Sequence, residues 1–216
     1  MPHNLIQAGL KELELLLDER QLSQIQAHLD LIKKWHKRIN LVSFKDERAL
    51  ITHHVLDSLA LEPLLKASKS ILDIGTGAGF PGIPLAAVCP DIELTLLDSR
   101  QRRVEFLRLV VTQAKLKNVQ VATSRIEDYN CNLPVQNTTK FDTLVARAVT
   151  SLTKLVGLTS HLHYSGLRLL VMKGRYPEME LQSLEQQYGS MLSSIRVEPL
   201  NVPFLDAERH AVIIEF

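Results

Sequence analysis

The apolar positions of this chain change rhythm once. Up to about Lys66 they recur at helical spacing, with Leu22, Ile25, Leu29, Ile32 and Ile39 three, four or seven residues apart and charge on the other face. Leu10, Leu13, Leu16 and Leu17 predict a shorter helix before that one, and Val55 to Leu65 another after it. From Ser70 onward short apolar runs alternate with longer amphipathic ones, as in strands joined by crossover helices. The predicted strands are Ser70 to Ile74, Glu93 to Leu97, Val119 to Ala122, Phe141 to Ala146, Leu167 to Met172, Ile195 to Val202 and His210 to Phe216.

The first five strands alternate with helices, which implies a parallel sheet covered on both faces. The last two are separated by Pro203 and the polar "DAERH", which suits a hairpin better than a crossover. The expected organisation is a helical cap over residues 1–66 packed on an α/β core over 67–216, together one compact unit. No internal repeat or low-complexity tract appears, and the one loose polar stretch is "NCNLPVQNTTK" before the fourth strand.

Composition narrows this reading. With 216 residues and 45% apolar content, the chain can bury a sizeable core unaided, which excludes a disordered class. No apolar run reaches the roughly 18 residues needed to cross a bilayer, and the amino terminus lacks a secretory pattern, so a cytoplasmic location is expected. Cys89 and Cys131 stand in no metal-ligand spacing, so neither a metal site nor a disulfide framework is expected. Twenty-five Lys and Arg against 24 Asp and Glu give a net charge of +1, so any nucleic-acid partner must be held by local patches.

The strongest chemical signal is "ILDIGTGAGFPGIPLA", a strand, a glycine-rich turn and a short helix that tolerates Pro84 in its first turn and stops at Cys89-Pro90. At the carboxyl edge of a doubly wound sheet, such an open turn is where ligands bind. A dinucleotide site needs a third glycine where Phe80 stands, and no Gly-Lys-Ser/Thr follows for a Walker A loop. S-Adenosylmethionine fits better. Gly75, Thr76, Gly77 and Gly79 would admit its amino acid end, with Asp73 meeting the ammonium. Asp98, at the end of the second strand, would accept from the ribose hydroxyls. Ile126 in "SRIEDY" would pack on the adenine, and Glu127 or Asp128 would accept from the exocyclic amine. Each acid also has a plain alternative: Asp73 bonding its own turn, Asp98 capping the helix from Arg100, and Glu127 in a solvated loop.

Together "DIGTGAGFPGIPLA", "LLDSRQRRVEFL", "SRIEDY", "VARAVTSL", "VMKG" and "ERHAVIIEF" resemble the ribosomal small-subunit methyltransferase G family, also called glucose-inhibited division protein B. "WHKRINLVS" and "HHVLDSLAL" extend the likeness over nearly the whole chain. The resemblance implies a Rossmann-like methyltransferase fold, a mostly parallel seven-stranded sheet with a C-terminal hairpin and an N-terminal helical extension. It implies S-adenosylmethionine as cofactor and methylation of guanine N7 in a single-stranded loop of 16S ribosomal RNA near the decoding centre, within the 30S subunit, by a monomer. The family's cofactor contacts fall on Gly75, Phe80, Ile126, Glu127 and Arg147.

Guanine N7 carries a free lone pair at neutral pH, so the chemistry needs alignment and tolerance of positive charge but no general base. The chain has no Asn/Asp-Pro-Pro-aromatic motif for exocyclic amines, and neither cysteine stands in a Pro-Cys motif. Arg147 and Lys173 are the expected substrate-positioning residues, and Arg147, Lys173 and Arg209 the expected RNA contacts at strand ends. Lys173 and Arg209 could equally be ordinary surface cations. Arg100 and Arg103, in a cluster with Arg102 and Arg108, are secondary phosphate contacts, as are Lys33, Lys34, Lys37 and Arg38; such runs are more often solvated faces. Trp35 reads as core, and His53 and His54 beside Asp57 as a structural link from cap to sheet. The alternatives are a methyltransferase of the same fold acting on a small molecule or protein, a ribosome-assembly RNA-binding factor, and, against Phe80, a nicotinamide oxidoreductase.

Overall fold

The computed structural model describes residues 2–130 and 140–216, with the side chains of residues 2 and 3 left aside. Most of the polar stretch before the fourth strand, with Cys131, lies outside the described residues. Helix α1 spans Pro2–Glu12 and α2 Glu19–Ile39. The first helix therefore lies earlier than the leucines around residues 10 to 17 predict. Glu14 adopts φ 57° and its N–H meets the carbonyl of Lys11, while the N–H of Leu15 reaches back to Leu10. That is the left-handed closure usually given to glycine, and it leaves Leu16 98% exposed beyond the helix end. Asp18 then opens α2 by a capping box with Gln21.

The segment predicted as a helix from Val55 to Leu65 is three short pieces. After α3 (Glu47–Leu50) comes a π-helical turn over Ile51–Leu56, then α4 (Asp57–Leu59) and a 3₁₀ turn over Glu62–Leu65 that carries Pro63 near its start. The hydroxyls of Thr52 and Ser58 bond back to the carbonyls of Arg48 and His54 four residues earlier, competing for the regular ladder.

The strands are β1 (Ser70–Ile74), β2 (Glu93–Asp98), β3 (Val119–Thr123), β4 (Thr143–Arg147), β5 (Arg168–Lys173), β6 (Ser194–Pro199) and β7 (His210–Glu215). They form one sheet in the order β3-β2-β1-β4-β5-β7-β6. β1 to β5 are parallel, and β7 runs antiparallel to both β5 and β6, as the predicted hairpin requires. β4 starts two residues later than predicted, because the Asp142 carboxylate accepts from the N–H groups of Lys69 and Ser70 and ties off the start of β1 instead.

Helices α5 (Gly82–Val88) and α6 (Gln101–Gln113) cover one face of the sheet, and α7 (Leu152–Thr159) and α8 (Glu178–Tyr188) the other. The N-terminal helices share the first of these cores: Ile25, Leu29 and Ile32 of α2 are buried in one cluster with Ile83 of α5, Leu107 of α6 and Leu96 of β2. Trp35 packs partly buried against the same cluster. No helix among the described residues is long and apolar enough to cross a membrane.

Candidate active site

Register places the decisive residues in one row. Ile74 of β1 lies opposite Leu97 of β2 and Ala146 of β4, and Leu97 lies opposite Ala122 of β3. The next residues along, Gly75, Asp98, Thr123 and Arg147, therefore emerge together at the carboxyl edge, where the loops leave the sheet.

A cleft of about 280 Å³ opens there, bounded by Gly75, Asp98, Ile126, Glu127, Val149 and Lys154 among others. Gly75 has φ +65°, and a Cβ there would stand 3.1 Å from Val149 Cγ2, so a larger residue would be strained and would fill the cleft's wall. Gly79, at φ +92°, is needed for packing: its added Cβ would lie 2.5 Å from Ile83 and 3.2 Å from His28 Nε2.

Of the residues expected to hold a cofactor, Gly75, Asp98, Ile126 and Glu127 border the cleft, while Asp73, Thr76, Gly77, Gly79, Phe80 and Arg147 are not among its lining residues. Several of these shape the turn. Asp73 is buried; its Oδ2 accepts from the Gly82 N–H at 2.9 Å and from the Thr76 hydroxyl, and its Oδ1 has no partner among the described residues. Burial raises its pKa to about 6, against the lowering effect of those bonds. Phe80 is buried, with the Arg147 guanidinium 5.3 Å above its ring and the rings of His28 and His54 beside it.

Asp98 carries both readings at once. Its Oδ1 accepts from Arg100 N–H at 2.8 Å, as a cap for α6, and its Oδ2 accepts from Gly77 N–H at 3.0 Å and from Arg103 at 3.4 Å. It thus pins the glycine turn of β1 to the start of α6 while bordering the cleft. Arg103 sits over the turn, and Arg100 is exposed at the helix start. Glu127 has Arg125 3.6 Å away.

The cationic residues were individually visible in the sequence, but their assembly was not. Asp57, 3% exposed, accepts from Arg147 at 2.9 Å and from Arg209 at 2.7 Å, although 90 and 152 residues separate the partners. Arg147 also donates to the His53 carbonyl at 3.2 Å and to His54 Nδ1 at 2.9 Å. A guanidinium only donates, so Nδ1 accepts and the His54 Nε2–H is left to meet the Ser43 carbonyl at 3.2 Å. Burial and the neighbouring Arg147 charge lower the His54 pKa to about 4, so the ring is neutral near pH 7. The link expected between the His-His-Asp segment and the sheet is therefore made through these two arginines.

Lys173, at the end of β5, gives both Glu180 carboxylate oxygens a bond at 2.8 Å and lies 3.4 Å from the Thr150 carbonyl. Glu180 also accepts from Leu152 N–H at 2.8 Å. The pair fixes the loop after β4, whose Val149 and Thr150 line the cleft. The expectation of no metal site rests on sequence spacing, and no group of three or more metal-ligating side chains occurs among the described residues.

Solved structures share this architecture. The O-methyltransferase TomG from Streptomyces achromogenes, solved in complex with SAM, has a TM-score of 0.57 at 19% identity over 97% of this chain and 96% of its own. A SAM-dependent methyltransferase from Aquifex aeolicus has a TM-score of 0.56 at 18% identity, over 86% of this chain and 97% of its own. At such identities the likeness is one of fold, and it gives this chain the Rossmann-like α/β fold of those methyltransferases. Its sequence goes further. The family model for GidB, rRNA small subunit methyltransferase G, matches residues 21–212. Proteins named ribosomal RNA small subunit methyltransferase G are 42% identical in Chromobacterium violaceum, over 96% of this chain and 94% of theirs, and 40% identical in Coxiella burnetii, over 97% and 96%. The chain belongs to the rRNA small subunit methyltransferase G family.

Proposed function

We propose that this protein transfers a methyl group from S-adenosylmethionine to guanine N7 at one position of 16S ribosomal RNA near the decoding centre. It does so as a cytoplasmic monomer acting within the 30S subunit, with residues 1–66 as a helical cap on the catalytic core. The observation that carries the reading is the carboxyl edge of the sheet, which bears both the cleft beside Gly75 and Asp98 and the guanidinium pair of Arg147 and Arg209 gathered on Asp57.

The cleft's residues fit the cofactor. Gly75 leaves the space a Cβ would take, Asp98 offers a carboxylate for ribose hydroxyls, and Ile126 with Glu127 offers an apolar face and an acceptor for adenine. Asp73 is buried beneath the turn and outside the cleft's lining, so its charge would act on an ammonium group only at a distance and through the turn it shapes. When bound, S-adenosylmethionine supplies an electrophilic methyl on a sulfonium. The chain's own task is then to hold the acceptor base in line and exclude water.

N7 acceptance is supported by how the edge is made. His54 has both ring nitrogens engaged, Asp57 is bonded to two guanidiniums, and neither lines the cleft where a base would have to stand. An acceptor that needs no deprotonation suits such a site. Arg147 and Arg209 would meet RNA phosphate or base edges, with Arg100 and Arg103 as secondary contacts, and Lys173 would position the Val149–Thr150 wall.

The test is transfer of radiolabelled methyl to 30S subunits lacking the modification, with the product mapped by cleavage specific for 7-methylguanosine. Label at one guanine, lost in Gly75→Asp and reduced in Lys173→Ala, is expected. Cofactor binding without label in RNA would overturn the substrate and point to a small molecule or protein.

A further inference from the structure

Arg147 lines neither of two hollows but is tied to both. Val149 and Thr150, two and three residues after it, line the cofactor cleft, and its guanidinium is bonded to His53 and His54, which line a second hollow of about 510 Å³ with Ser43, Phe44, Lys45 and Ala49. This hollow is built rather than loose. The Ser43 carbonyl is tied to His54, and the Phe44 ring rests 4.7 Å from His36 at the end of α2. One wall is the π-helical turn, a distortion that recurs at functional sites.

The ammonium at its rim has no ion-pair partner among the described residues. Lys45 is exposed, and the acids next to it are committed elsewhere: Asp46 caps α3 through Ala49 N–H, and Glu47 pairs with Lys33 at 2.7 Å. The exposed ring of His53 makes no hydrogen bond among the described residues. A half-buried aromatic ring, an exposed imidazole and an unpaired ammonium, beside two arginines, are the parts with which proteins hold an unstacked nucleotide.

We propose that this hollow receives an RNA nucleotide adjacent to the methylated guanosine, its base against Phe44 and His53 and its phosphate at Lys45. The inference rests on the function proposed above and adds a second contact point on the strand. A nucleotide held there would fix the strand across Arg147 and so present its neighbour to the cofactor cleft.

The test is Michaelis kinetics of methyl transfer to 30S subunits lacking the modification, for Phe44→Leu, Lys45→Ala and His53→Ala, with cofactor binding measured by calorimetry. The expected result is a KM raised about 5- to 30-fold by Phe44→Leu and less by the other two, with the cofactor dissociation constant within twofold of wild type. In Lys45→Ala the logarithmic salt dependence of RNA binding should also fall by about one. Phe44→Leu keeps the apolar packing. If that variant loses stability, Lys45→Ala and His53→Ala, both at exposed positions, carry the test. Wild-type KM and salt slope in both would overturn the inference while the wild type still methylates RNA. A wild type that transfers no methyl to RNA would overturn the proposed function as well.

Discussion

Replacing Asp57 by Asn removes one negative charge from between two guanidiniums while keeping the shape of the side chain. The carboxylate is 4% exposed and accepts from Arg147 at 2.9 Å and Arg209 at 2.7 Å, and those side chains are 16% and 22% exposed. Breaking a buried ion pair from one side costs about 3–5 kcal/mol, because the charge left behind has no partner. Both arginines reach some solvent, so the lower figure, about 3 kcal/mol, is expected. For a chain of this size that is a fall in Tm of roughly 6–12 °C, read by scanning calorimetry at low protein concentration. Arg209→Met should cost less alone, and the Asp57→Asn, Arg209→Met pair should cost less than the sum, with a coupling of about 1 kcal/mol or more. A second readout separates orientation of the arginines from bare stability: well below the Tm, the KM for the RNA substrate should rise while cofactor affinity holds. A Tm within about 2 °C of wild type, or strict additivity with Arg209→Met, would refute the view that Asp57 gathers the cationic edge.

Gly75→Ala should lower Tm by about 3–6 °C through left-handed strain and weaken cofactor binding about tenfold by calorimetry, since the Cβ meets Val149 at the cleft wall. Lys173→Ala and Glu180→Gln should reduce turnover by similar factors and be non-additive, because both act on the Thr150–Leu152 segment; a changed salt dependence in the lysine variant alone would instead place Lys173 on RNA. His28 is buried and donates to the Ala78 carbonyl at 2.7 Å, and burial lowers its pKa from 6.5 to about 4. The unfolded chain therefore takes up that proton first as pH falls, so the stability this neutral ring carries at pH 7 is lost through the window from 6.5 down to 4. Asp73 works the other way, since its raised pKa of about 6 makes the folded state bind a proton first and adds stability as pH falls from there. Urea unfolding at about pH 7 and 5 should show wild type losing ~2 kcal/mol more than His28→Gln, and equal losses would remove His28 from the account.

The sequence by itself determined the sheet and the row of residues at its carboxyl edge. Strand periodicity, the glycine turn and the acids at successive strand ends are local patterns, and parallel register then has little choice but to bring Gly75, Asp98 and Arg147 into one row. The closing hairpin was legible for the same reason. Other features depend on contacts that no local pattern encodes. The Glu14 turn put α1 earlier than its leucines suggest, and hydroxyl back-bonds broke the segment after α3 into a π turn and short pieces. Most of all, tertiary structure alone decided that Asp57 would stand between two arginines distant in sequence, and that His54 would become a neutral acceptor rather than a base. Charge, burial and hydrogen-bond direction are properties of a place in the fold. A residue's type says what it can do, and its neighbours across the chain decide which of those things remains open to it.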